Sequence, residues 1–342
     1  MLFGLSPGLA ADHAVVLLYH HVSNDTPAST SVSPSVFEEH LEYLDEHEFT
    51  VWPLSRILDA LASGRAIPEN TVAITFDDAY RSVYTEAFPR LRQRKWPFTV
   101  FVGTEAIDRG YKSYLNWDQI RELTGAGAEV GNHSHSHDYL VRSPEGETMA
   151  QWQQRVAADI EHAGDRLEKE TGFKTTLFAY PYGEYSRPLK EIVRSMGYRG
   201  IAQRSGAVGV DSDFLMVPRF PMLTGFADIE RFSIAVNSRP LPVRSAIESG
   251  PETPDGRIDK LLLTLGEGSY RVNQLGCYDA SGTRQTIETF EDQPYRISIT
   301  LNVTATAGRK KINCTAPAIN EPGVFYWYSY QWLVNHADGR QG

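Results

Sequence analysis

Short apolar runs alternate with longer amphipathic stretches along the first ~240 residues of the chain. The short runs have the length and the β-branched content of buried strands, and the stretches between them repeat apolar residues at helical spacing. The predicted strands span residues 14–20, 71–76, 98–103, 128–133, 175–181, 197–203 and 214–220. Strands that alternate with helices favour a parallel sheet with right-handed crossovers, and this number of them favours an α/β fold built as a distorted (β/α)7-type barrel.

The pattern changes near residue 245. Residues 249–256 read SGPETPDG, a composition typical of a linker, and short alternating segments separated by turn residues follow them. This pattern predicts a small antiparallel β-sandwich. We therefore divide the chain into a larger domain at 14–244, a linker at 245–256 and a β-sandwich accessory domain at 257–342.

One segment of the predicted sandwich is rich in aromatic residues. If residues 325–333 form a strand, Tyr326, Tyr328, Tyr330 and Trp332 share one of its faces. Such a stripe either packs the core of the sandwich, which is the commoner arrangement, or stacks on sugar rings. The sequence favours the core.

The N-terminus and the cysteines bear on the cellular compartment. Residues 1–13 are apolar and end in small residues but lack a basic region, which favours a signal-peptide remnant over a frayed first strand. The two cysteines of the chain, Cys277 and Cys314, lie in its last quarter. In an exported protein such a pair indicates one disulfide, whereas in the cytosol both would remain free thiols. We expect export to the periplasm or to the outside of the cell.

Composition argues against two classes of protein. The chain of 342 residues carries 33 basic and 43 acidic side chains, for a formal net charge of -10. A protein that binds nucleic acid through its phosphates needs a basic surface, so no nucleic-acid partner is expected. No apolar run reaches the ~18 residues that a membrane span requires, so no transmembrane segment is predicted.

Two adjacent carboxylates close the second predicted strand, in the sequence TFDD at residues 75–78. Burial of both Asp77 and Asp78 at the tip of a core strand costs free energy unless their charges are compensated. An acidic turn or a helix N-cap is the ordinary explanation for such a pair. Catalytic residues of (β/α) barrels, however, collect at the carboxyl ends of the strands, which is where this pair lies.

A second motif follows the fourth predicted strand, where residues 131–137 read GNHSHSH. Imidazole is the commonest metal-binding side chain, so the cluster favours a metal site over a solvated loop. A helical turn would pair His133 with His137, whereas an extended segment would pair His135 with one of its neighbours. Two histidines and one carboxylate of TFDD make a three-ligand set with open positions, and the other carboxylate remains as a base.

The order of these motifs carries a resemblance to a known family. TFDD, a His-Ser-x-x-His motif about 55 residues later and a Tyr-Pro-Tyr-Gly strand end resemble the polysaccharide deacetylases with the NodB-type fold, carbohydrate esterase family 4. The resemblance covers roughly residues 14–222. It implies that residues 14–244 form a polysaccharide deacetylase (NodB-like) domain and that the protein is a hydrolase acting on carbon-nitrogen bonds other than peptide bonds.

The resemblance also implies roles for individual residues. Asp77 is expected to be the catalytic base, and the backbone N–H of Tyr182 is expected to help hold the oxyanion. One divalent metal ion, zinc first with cobalt or nickel as alternatives, is expected at Asp78, His133 and His137. His135 falls on a variable position of the motif and is expected at the edge of the pocket or in solvent.

The chain departs from the family at the position of an arginine that braces the catalytic aspartate. Ala179 occupies that position in the segment AYPYG. Arg219 and Arg204, near later strand ends, are candidates to supply the missing guanidinium. The alternative for each is an ordinary surface or ion-pair arginine.

A second departure concerns the general acid. The family supplies it from a Leu-x-His motif, but the only histidine after His162 is His336. Asp77 once protonated, a metal-bound water or His20 at the end of the first strand could donate the proton instead, although His20 could equally be a plain loop histidine. The Tyr-His pair at this strand end and the missing arginine resemble the poly-N-acetylglucosamine deacetylase subgroup most closely.

The leading hypothesis is a metal-dependent hydrolase that removes N-acetyl groups from a polysaccharide or oligosaccharide of acetylated amino sugars. An O-acetyl esterase acting on xylan-like polysaccharide competes with it, because an alkoxide leaves more easily than an amine and needs no strong general acid. A catalytically weak carbohydrate-binding protein is the third hypothesis. The four intact residues Asp77, Asp78, His133 and His137 argue against that third hypothesis.

Overall fold

A computed structural model of the chain describes residues 10–249, 258–301 and 307–334. Residues 1–9 of the expected signal-peptide remnant, residues 250–256 of the expected linker and His336 lie outside the described residues. The fold is therefore discussed for the described ranges alone.

A curled parallel sheet forms the larger part of the described structure. Its strands are β1 (His13–Tyr19), β2 (Thr71–Phe76), β3 (Thr99–Val102), β4 (Glu129–Asn132), β5 (Leu177–Ala179), β6 (Arg199–Ile201) and β7 (Phe220–Pro221). They follow the order β6-β5-β4-β3-β2-β1-β7, and each neighbouring pair is parallel. Each of these strands overlaps one of the predicted strands, but β7 keeps only the end of the predicted 214–220.

The chain just before β7 joins the two edges of this sheet. Val217 makes a parallel bridge to Ile201 of β6, while Phe220 pairs with Leu17 of β1. The segment 217–221 therefore hydrogen-bonds to both edge strands, and the curled sheet is drawn into a distorted barrel. The expected α/β fold of the NodB type is confirmed.

Shorter strands decorate the barrel. Val208–Gly209 pairs antiparallel with β1, and Thr50–Val51 pairs parallel with β2. Two further pairs join Ala10–Ala11 to Ile67–Pro68 and His21–Val22 to Ser31–Val32.

Helices connect the strands of the barrel. They are α1 (Pro34–Glu46), α2 (Leu54–Ala62), α3 (Phe88–Arg94), α4 (Thr104–Asp108), α5 (Trp117–Gly125), α6 (Met149–Thr171), α7 (Arg187–Ser195) and α8 (Ile229–Val236). Local sequence explains their ends: Ser33 caps α1 ahead of Pro34, and α6 starts with a capping box and ends at Gly172, whose φ is 76°. Short 3₁₀ turns lie at Ala28–Thr30, Pro181–Gly183 and Val272–Gln274, and a π-helical turn at Val83–Ala87 precedes α3.

Strand β2 is buried on both faces, which explains why its sequence shows no polar alternation. Val72, Ile74 and Phe76 pack in one apolar cluster, and Ala73 packs in another with residues of the facing strands. Because side chains alternate along a strand, Asp77 continues the same face as Ala73, and this face also carries Thr75. The alternation directs Asp77 into the barrel.

The C-terminal part contains two four-stranded sheets within the described residues. Their strands are β8 (Arg239–Pro240), β9 (Val243–Ser249), β10 (Lys260–Leu265), β11 (Gly276–Asp279), β12 (Thr286–Phe290), β13 (Gln293–Thr300), β14 (Gly308–Pro317) and β15 (Phe325–Val334). The sheet orders are β8-β15-β14-β11 and β9-β10-β13-β12, and apart from the short parallel pair β8 and β15 the pairings are antiparallel. Both sheets contribute side chains to one apolar cluster.

The two cysteines lie directly opposite each other in this part of the molecule. Cys277 of β11 pairs with Cys314 of β14, and the two form a disulfide with a Cα–Cα distance of 4.0 Å. The predicted disulfide is confirmed. It joins two strands inside the apolar cluster, where both sulfur atoms are fully buried.

The aromatic strand β15 separates the barrel from the C-terminal cluster. Its even-numbered residues Tyr326, Tyr328, Tyr330 and Trp332 belong to, or pack against, the C-terminal cluster. The odd-numbered Trp327 and Leu333 instead pack against apolar clusters of the barrel. The aromatic stripe is therefore part of a core, as the sequence favoured, and the opposite face of the strand docks this sheet onto the barrel.

None of the helices within the described ranges is both long and apolar enough to cross a membrane.

Candidate active site

The carboxyl ends of β2 and β4 bring the two sequence motifs together. The Oδ1 atom of Asp78 lies 3.3 Å from Nε2 of His133 and 3.0 Å from Nε2 of His137. The ligand atoms of the three residues lie within 4.8 Å of one another. One carboxylate oxygen and two imidazole nitrogens thus converge on a small volume, which is the donor set of a mononuclear transition-metal site.

A backbone carbonyl orients the innermost histidine. Nδ1 of His133 lies 2.8 Å from the carbonyl oxygen of Ala179 at the end of β5, and the side chain is 1% exposed. Because a carbonyl oxygen only accepts, Nδ1 carries a hydrogen, and Nε2 is the ring nitrogen that faces Asp78. His137 is more open, with 29% of its side chain exposed. The small residue Ala179 thus contributes its backbone to the site.

Hydrogen bonds hold the histidine segment in shape. The Oδ1 atom of Asn132 accepts from the backbone N–H of Ser134 at 2.8 Å, and Oγ of Ser134 accepts from the N–H of His137 at 2.9 Å. The carboxylate of Asp159, on α6, accepts from the N–H groups of His135 and Ser136, both at 3.0 Å. These contacts explain why asparagine and serine residues stand between the histidines.

The backbone around the site is strained. Among the described residues, positive φ angles outside glycine include Asp78 (69°), Ala79 (56°), Ser134 (64°), His137 (55°) and Tyr182 (57°). Such conformations cost about 1–3 kcal/mol each and persist only where the surroundings determine them. Their concentration at the convergence of three loops is typical of a functional site.

Asp77 is fully buried and is held by a fork of hydrogen bonds from Arg219. The two terminal nitrogens of Arg219 donate to Oδ1 and Oδ2 of Asp77 at 2.6 and 2.7 Å. The same guanidinium donates to the carbonyl oxygen of Ala202 at 3.0 Å and to Oγ1 of Thr75 at 3.1 Å. Both charged side chains are 0% exposed. Arg219 therefore takes up the place beside the aspartate that Ala179 cannot fill.

The two aspartates differ in what compensates their charge. Burial, the largest influence, would raise the pKa of Asp77, but the charge and hydrogen bonds of Arg219 together with the nearby His133 and His20 lower the pKa below the ordinary value. Burial likewise opposes ionisation of Asp78, and hydrogen bonds with His133 and His137 hold the pKa of that carboxyl well below its usual range. Each carboxylate remains ionised at neutral pH because a specific partner faces it.

Arg204, the other arginine considered from the sequence, lies elsewhere. Its guanidinium donates to the carbonyl oxygen of Met216 at 3.1 and 3.2 Å and to that of Ser329 in β15 at 2.6 Å. It also lies 5.7 Å from the ring centre of Tyr328. Arg204 fastens the C-terminal sheet to the barrel and makes no hydrogen bond to Asp77.

His20 interacts electrostatically with the carboxylates of Asp77 and Asp78. Burial lowers the pKa of His20 below its ordinary value, while the negative charges of Asp77 and Asp78 oppose that shift. The ring is therefore neutral at pH 7. A neutral imidazole can accept a proton, but it must be charged before it can donate one as a general acid.

Tyr182 forms an aromatic ledge at the rim. Its ring stacks on Tyr139, with centroids 3.9 Å apart and an angle of 12° between the planes, and its edge approaches His137 at 4.8 Å. The ring of Tyr182 is 39% exposed. Arg142 covers the other side of Tyr139 at 3.4 Å. Tyr139 was not identified from the sequence, although its position two residues after His137 could have suggested it.

His135 points away from the converging ligands. Its Nδ1 atom lies 2.8 Å from Oγ1 of Thr104, and its ring lies 4.2 Å from that of His162 on α6. With Asp108 these two histidines form a second group of nearby ligand atoms on the surface. The segment thus alternates: His133 and His137 face Asp78, and His135 faces α6.

Three further residues of the site come from segments that carried no recognisable motif. Gln203 donates to Oδ2 of Asp77 at 3.4 Å, and Arg309 of β14 donates to the carbonyl oxygen of Tyr182 at 2.6 Å. Gln331 of β15 donates to the carbonyl oxygen of Gly183 at 2.7 Å. Their side chains reach the site through long-range packing, for which the sequence contains no signal.

Known proteins resemble the chain over the barrel that carries this site. Residues 64–201 match the family model described as polysaccharide deacetylase. The structure of IcaB from Ammonifex degensii is 31% identical, with a TM-score of 0.54, and the match covers 62% of this chain and 92% of that one. The chain belongs to the polysaccharide deacetylase family. The matched region of the family model contains TFDD, the histidine segment and the Tyr182 strand end.

Other family members resemble the chain over its barrel. The poly-beta-1,6-N-acetyl-D-glucosamine N-deacetylase of Escherichia coli K12 is 25% identical over 221 residues, which cover 54% of this chain. The chain spans about a third of the length of that relative, 33%. The enzyme of the same name from Staphylococcus aureus MRSA252 is 26% identical over 209 residues, covering 59% of this chain and 71% of the relative. The deacetylase PplD of Streptococcus pyogenes shares the fold at a TM-score of 0.57.

Proposed function

We propose that the protein is a metal-dependent hydrolase that removes N-acetyl groups from a polymer or oligomer of N-acetylated amino sugars. One observation carries this proposal: the ligand group Asp78, His133 and His137 lies next to a second carboxylate, that of Asp77. This carboxylate is buried and accepts two hydrogen bonds from Arg219. A metal site with an adjacent ionised base is suited to hydrolysis of an amide by water.

The donor set fits a divalent first-row cation. Two imidazole nitrogens with one carboxylate oxygen suit zinc, cobalt or nickel better than magnesium or calcium, which prefer oxygen ligands. The hydrogen bond from His133 to Ala179 presents the correct nitrogen for coordination. A cation bound there would polarise a carbonyl oxygen and lower the pKa of a water molecule. We propose zinc as the native ion.

Asp77 is the proposed general base. The fork from Arg219 fixes the plane of its carboxylate and favours its ionised form. Each carboxylate oxygen has about two acceptor sites, so the fork leaves capacity for the proton of an attacking water. A carboxylate that is both oriented and ionised loses little entropy when it accepts that proton. Arg219 is the proposed positioning residue for this base.

Tyr182 is the proposed donor to the oxyanion. Its backbone is locked in the left-handed region, so the direction of its N–H is determined by the fold. A preorganised donor aimed at developing negative charge lowers the reaction barrier, and loss of one such side-chain donor raises the barrier by about 2.7–4 kcal/mol. The exposed ledge of Tyr182 and Tyr139 offers an apolar surface beside the site for a sugar ring.

The names of the relatives support the substrate class. Relatives from Escherichia coli and Staphylococcus aureus are poly-beta-1,6-N-acetyl-D-glucosamine N-deacetylases, so an N-acetylglucosamine polymer is the first substrate to test. The disulfide between Cys277 and Cys314 supports action in an oxidising compartment, the periplasm or the outside of the cell. We also propose the division into a catalytic domain at 14–244, a linker at 245–256 and an accessory domain at 257–342.

Release of acetate tests the proposal. The protein would be incubated with β-1,6-linked N-acetylglucosamine oligomers and, in parallel, with acetylated xylan, before and after removal of metal by a chelator. We expect glucosamine products from the first substrate, loss of activity with chelator, and recovery with zinc, cobalt or nickel. Faster acetate release from xylan would make the protein an ester hydrolase, and release from neither substrate would contradict both enzymatic functions.

A further inference from the structure

Two polar side chains from the C-terminal sheet grip the loop that carries Tyr182. Arg309 of β14 donates to the carbonyl oxygen of Tyr182 at 2.6 Å. Gln331 of β15, which is 4% exposed, donates to the carbonyl oxygen of Gly183 at 2.7 Å. Two consecutive backbone carbonyls of an active-site loop are therefore satisfied by the other part of the molecule.

The contact is tight and reaches towards the catalytic carboxylate. A Cβ atom placed on Gly183 would lie 2.5 Å from a terminal nitrogen of Arg309 and 2.5 Å from Cβ of Gln203, so only glycine fits between them. The same nitrogen of Arg309 lies 3.5 Å from Oε1 of Gln203, whose amide nitrogen lies 3.4 Å from Oδ2 of Asp77. A chain of polar contacts thus runs from β14 through Gln203 to Asp77.

The docking behind this contact is extensive. Ser329 of β15 donates to the carbonyl oxygen of Ser205, and its own carbonyl oxygen accepts from Arg204 at 2.6 Å. Trp327 packs edge-on against Phe220 of β7 at 5.2 Å. The sheet is therefore held at a defined position against the barrel, and Arg309 is presented to the loop by a rigid strand rather than by a mobile tail.

We propose that the C-terminal sheet completes the active site, with Arg309 and Gln331 as positioning residues that hold the loop of Tyr182. The left-handed backbone of Tyr182 is costly and persists only where its surroundings determine it. Arg309 and Gln331 supply that determination from outside the barrel. The accessory sheet then acts on catalysis itself rather than on capture of the polymer at a distance.

The inference rests on the function proposed above but extends to residues outside the family match, which ends at residue 201. A misplacement of catalytic groups by about 1 Å can cost about 10²-fold in rate. Loss of Arg309 should therefore lower kcat. KM should change little, because the contacts that bind the sugar chain outside the reacting group are kept.

The test compares Arg309→Ala, Arg309→Lys and Gln331→Ala with the control Arg296→Ala in the full-length, metal-loaded protein. Arg296 lies in β13 and contacts Gln293 and Phe290. Its replacement by alanine removes the same charge from the same part of the molecule. Acetate release gives kcat and KM, and hydrogen–deuterium exchange within residues 180–184, at each backbone amide except that of Pro181, reports the loop directly. The control should match the unmodified protein in both measurements.

We expect Arg309→Ala to lower kcat by about 10²-fold with faster exchange at 180–184 and unchanged metal content. Gln331→Ala should also speed exchange there. Arg309→Lys should fall between, because an ammonium can donate to Tyr182 but lacks the planar guanidinium that holds the donor in a defined orientation. If Arg309→Ala has unchanged exchange and kcat, or raises KM alone, the inference is overturned.

Failure of the proposed function would be distinguishable from failure of this inference. If the unmodified protein released no acetate, the exchange measurement would still decide whether Arg309 and Gln331 hold the loop. If Arg309→Ala did not fold, Arg309→Lys and Gln331→Ala would supply the comparison, and normal exchange in both would contradict the inference.

Discussion

Two groups of one aspartate and two histidines lie on opposite sides of the segment His133–His137. Asp78, His133 and His137 form the first, and Asp108, His135 and His162 form the second; in each the ligand atoms lie within 4.8 Å. The two groups are equivalent in residue type and in the closeness of their ligand atoms. The environments of their carboxylates are not.

In the second group the carboxylate already has its partners. Asp108 accepts from Nε1 of Trp117 at 2.8 Å and from Nε of Arg166 at 3.0 Å, and Arg166 neutralises its charge. A cation bound there would have to displace Arg166 or lie beside it. In the first group the side chain of Asp78 is only 12% exposed, and its ion-pair partners are the two histidines themselves.

The comparison teaches that proximity of ligand atoms does not by itself make a metal site. The first group is buried, oriented through the carbonyl oxygen of Ala179 and bordered by the ionised Asp77. The second is exposed, and its carboxylate is already paired with Arg166 and Trp117. What the neighbouring residues leave unsatisfied decides which group can bind a cation. The predictions below separate the two groups.

The largest expected effect is on metal content. His133→Ala and Asp78→Asn should lose most of the bound cation, because each removes one of three ligands, whereas His135→Ala should retain it. Elemental analysis after gel filtration measures the cation bound per chain. Retention by His133→Ala together with loss by His135→Ala would place the metal at the surface group and reverse the comparison.

The second prediction separates the base from the ligands. Asp77→Asn should lower kcat by about 10²–10⁴-fold, the usual contribution of general-base catalysis, while metal content stays near normal. The asparagine can still accept one hydrogen bond from Arg219 but leaves that buried charge unpaired, so kcat is compared under conditions in which circular dichroism shows the variant to be folded. Asp78→Asn should instead be partly rescued by excess cation. If Asp77→Asn stripped the metal and Asp78→Asn retained it, the two assigned roles would be exchanged.

The third prediction concerns the buried ion pair. Arg219→Met should lower the free energy of unfolding by about 3–5 kcal/mol, because it leaves the charge of Asp77 buried without a partner. Denaturant unfolding measures the loss. Without the guanidinium, burial should raise the pKa of Asp77. Because the base must be ionised to act, the acid limb of the pH–activity profile should move to higher pH. An unchanged acid limb would show that Arg219 does not control the ionisation of Asp77.

The smallest effect is expected at the surface pair. Arg166→Ala should change the free energy of unfolding by about 1 kcal/mol or less, because the ion pair with Asp108 is partly exposed. The variant also frees the carboxylate, so weak binding of a second zinc ion should appear in titration calorimetry. Stability loss as large as that of Arg219→Met would mean that the surface group is more than a solvated network.

Local patterns allowed much of the molecule to be anticipated. The strands of the barrel, the disulfide and the convergence of TFDD with the histidine segment follow from periodicity, from the cysteine pair and from the rule that strand ends meet at one edge. The family resemblance selected His133 and His137 over His135, and in the structure the first two face Asp78 while His135 lies against His162. These features depend on residues close together in sequence or on a regular repeat.

The partner of Asp77 could not be derived in the same way. Arg204 and Arg219 both follow late strands, and the two were equivalent candidates. Closure of the barrel distinguishes them. Val217 pairs with Ile201 and Phe220 pairs with Leu17. These pairings place Arg219 inside the barrel, next to Asp77. The separation of these two residues along the chain is 142 positions.

The sequence by itself determined the fold class, the candidate ligands and the candidate base, since strand period and motif order are local properties of the chain. Only the tertiary structure decided that Arg219 braces Asp77, that His135 faces α6, and that Arg309 meets the loop of Tyr182. Each of these contacts joins elements far apart along the chain. Their geometry depends on how the sheet closes and how β15 docks, and packing of whole surfaces sets both.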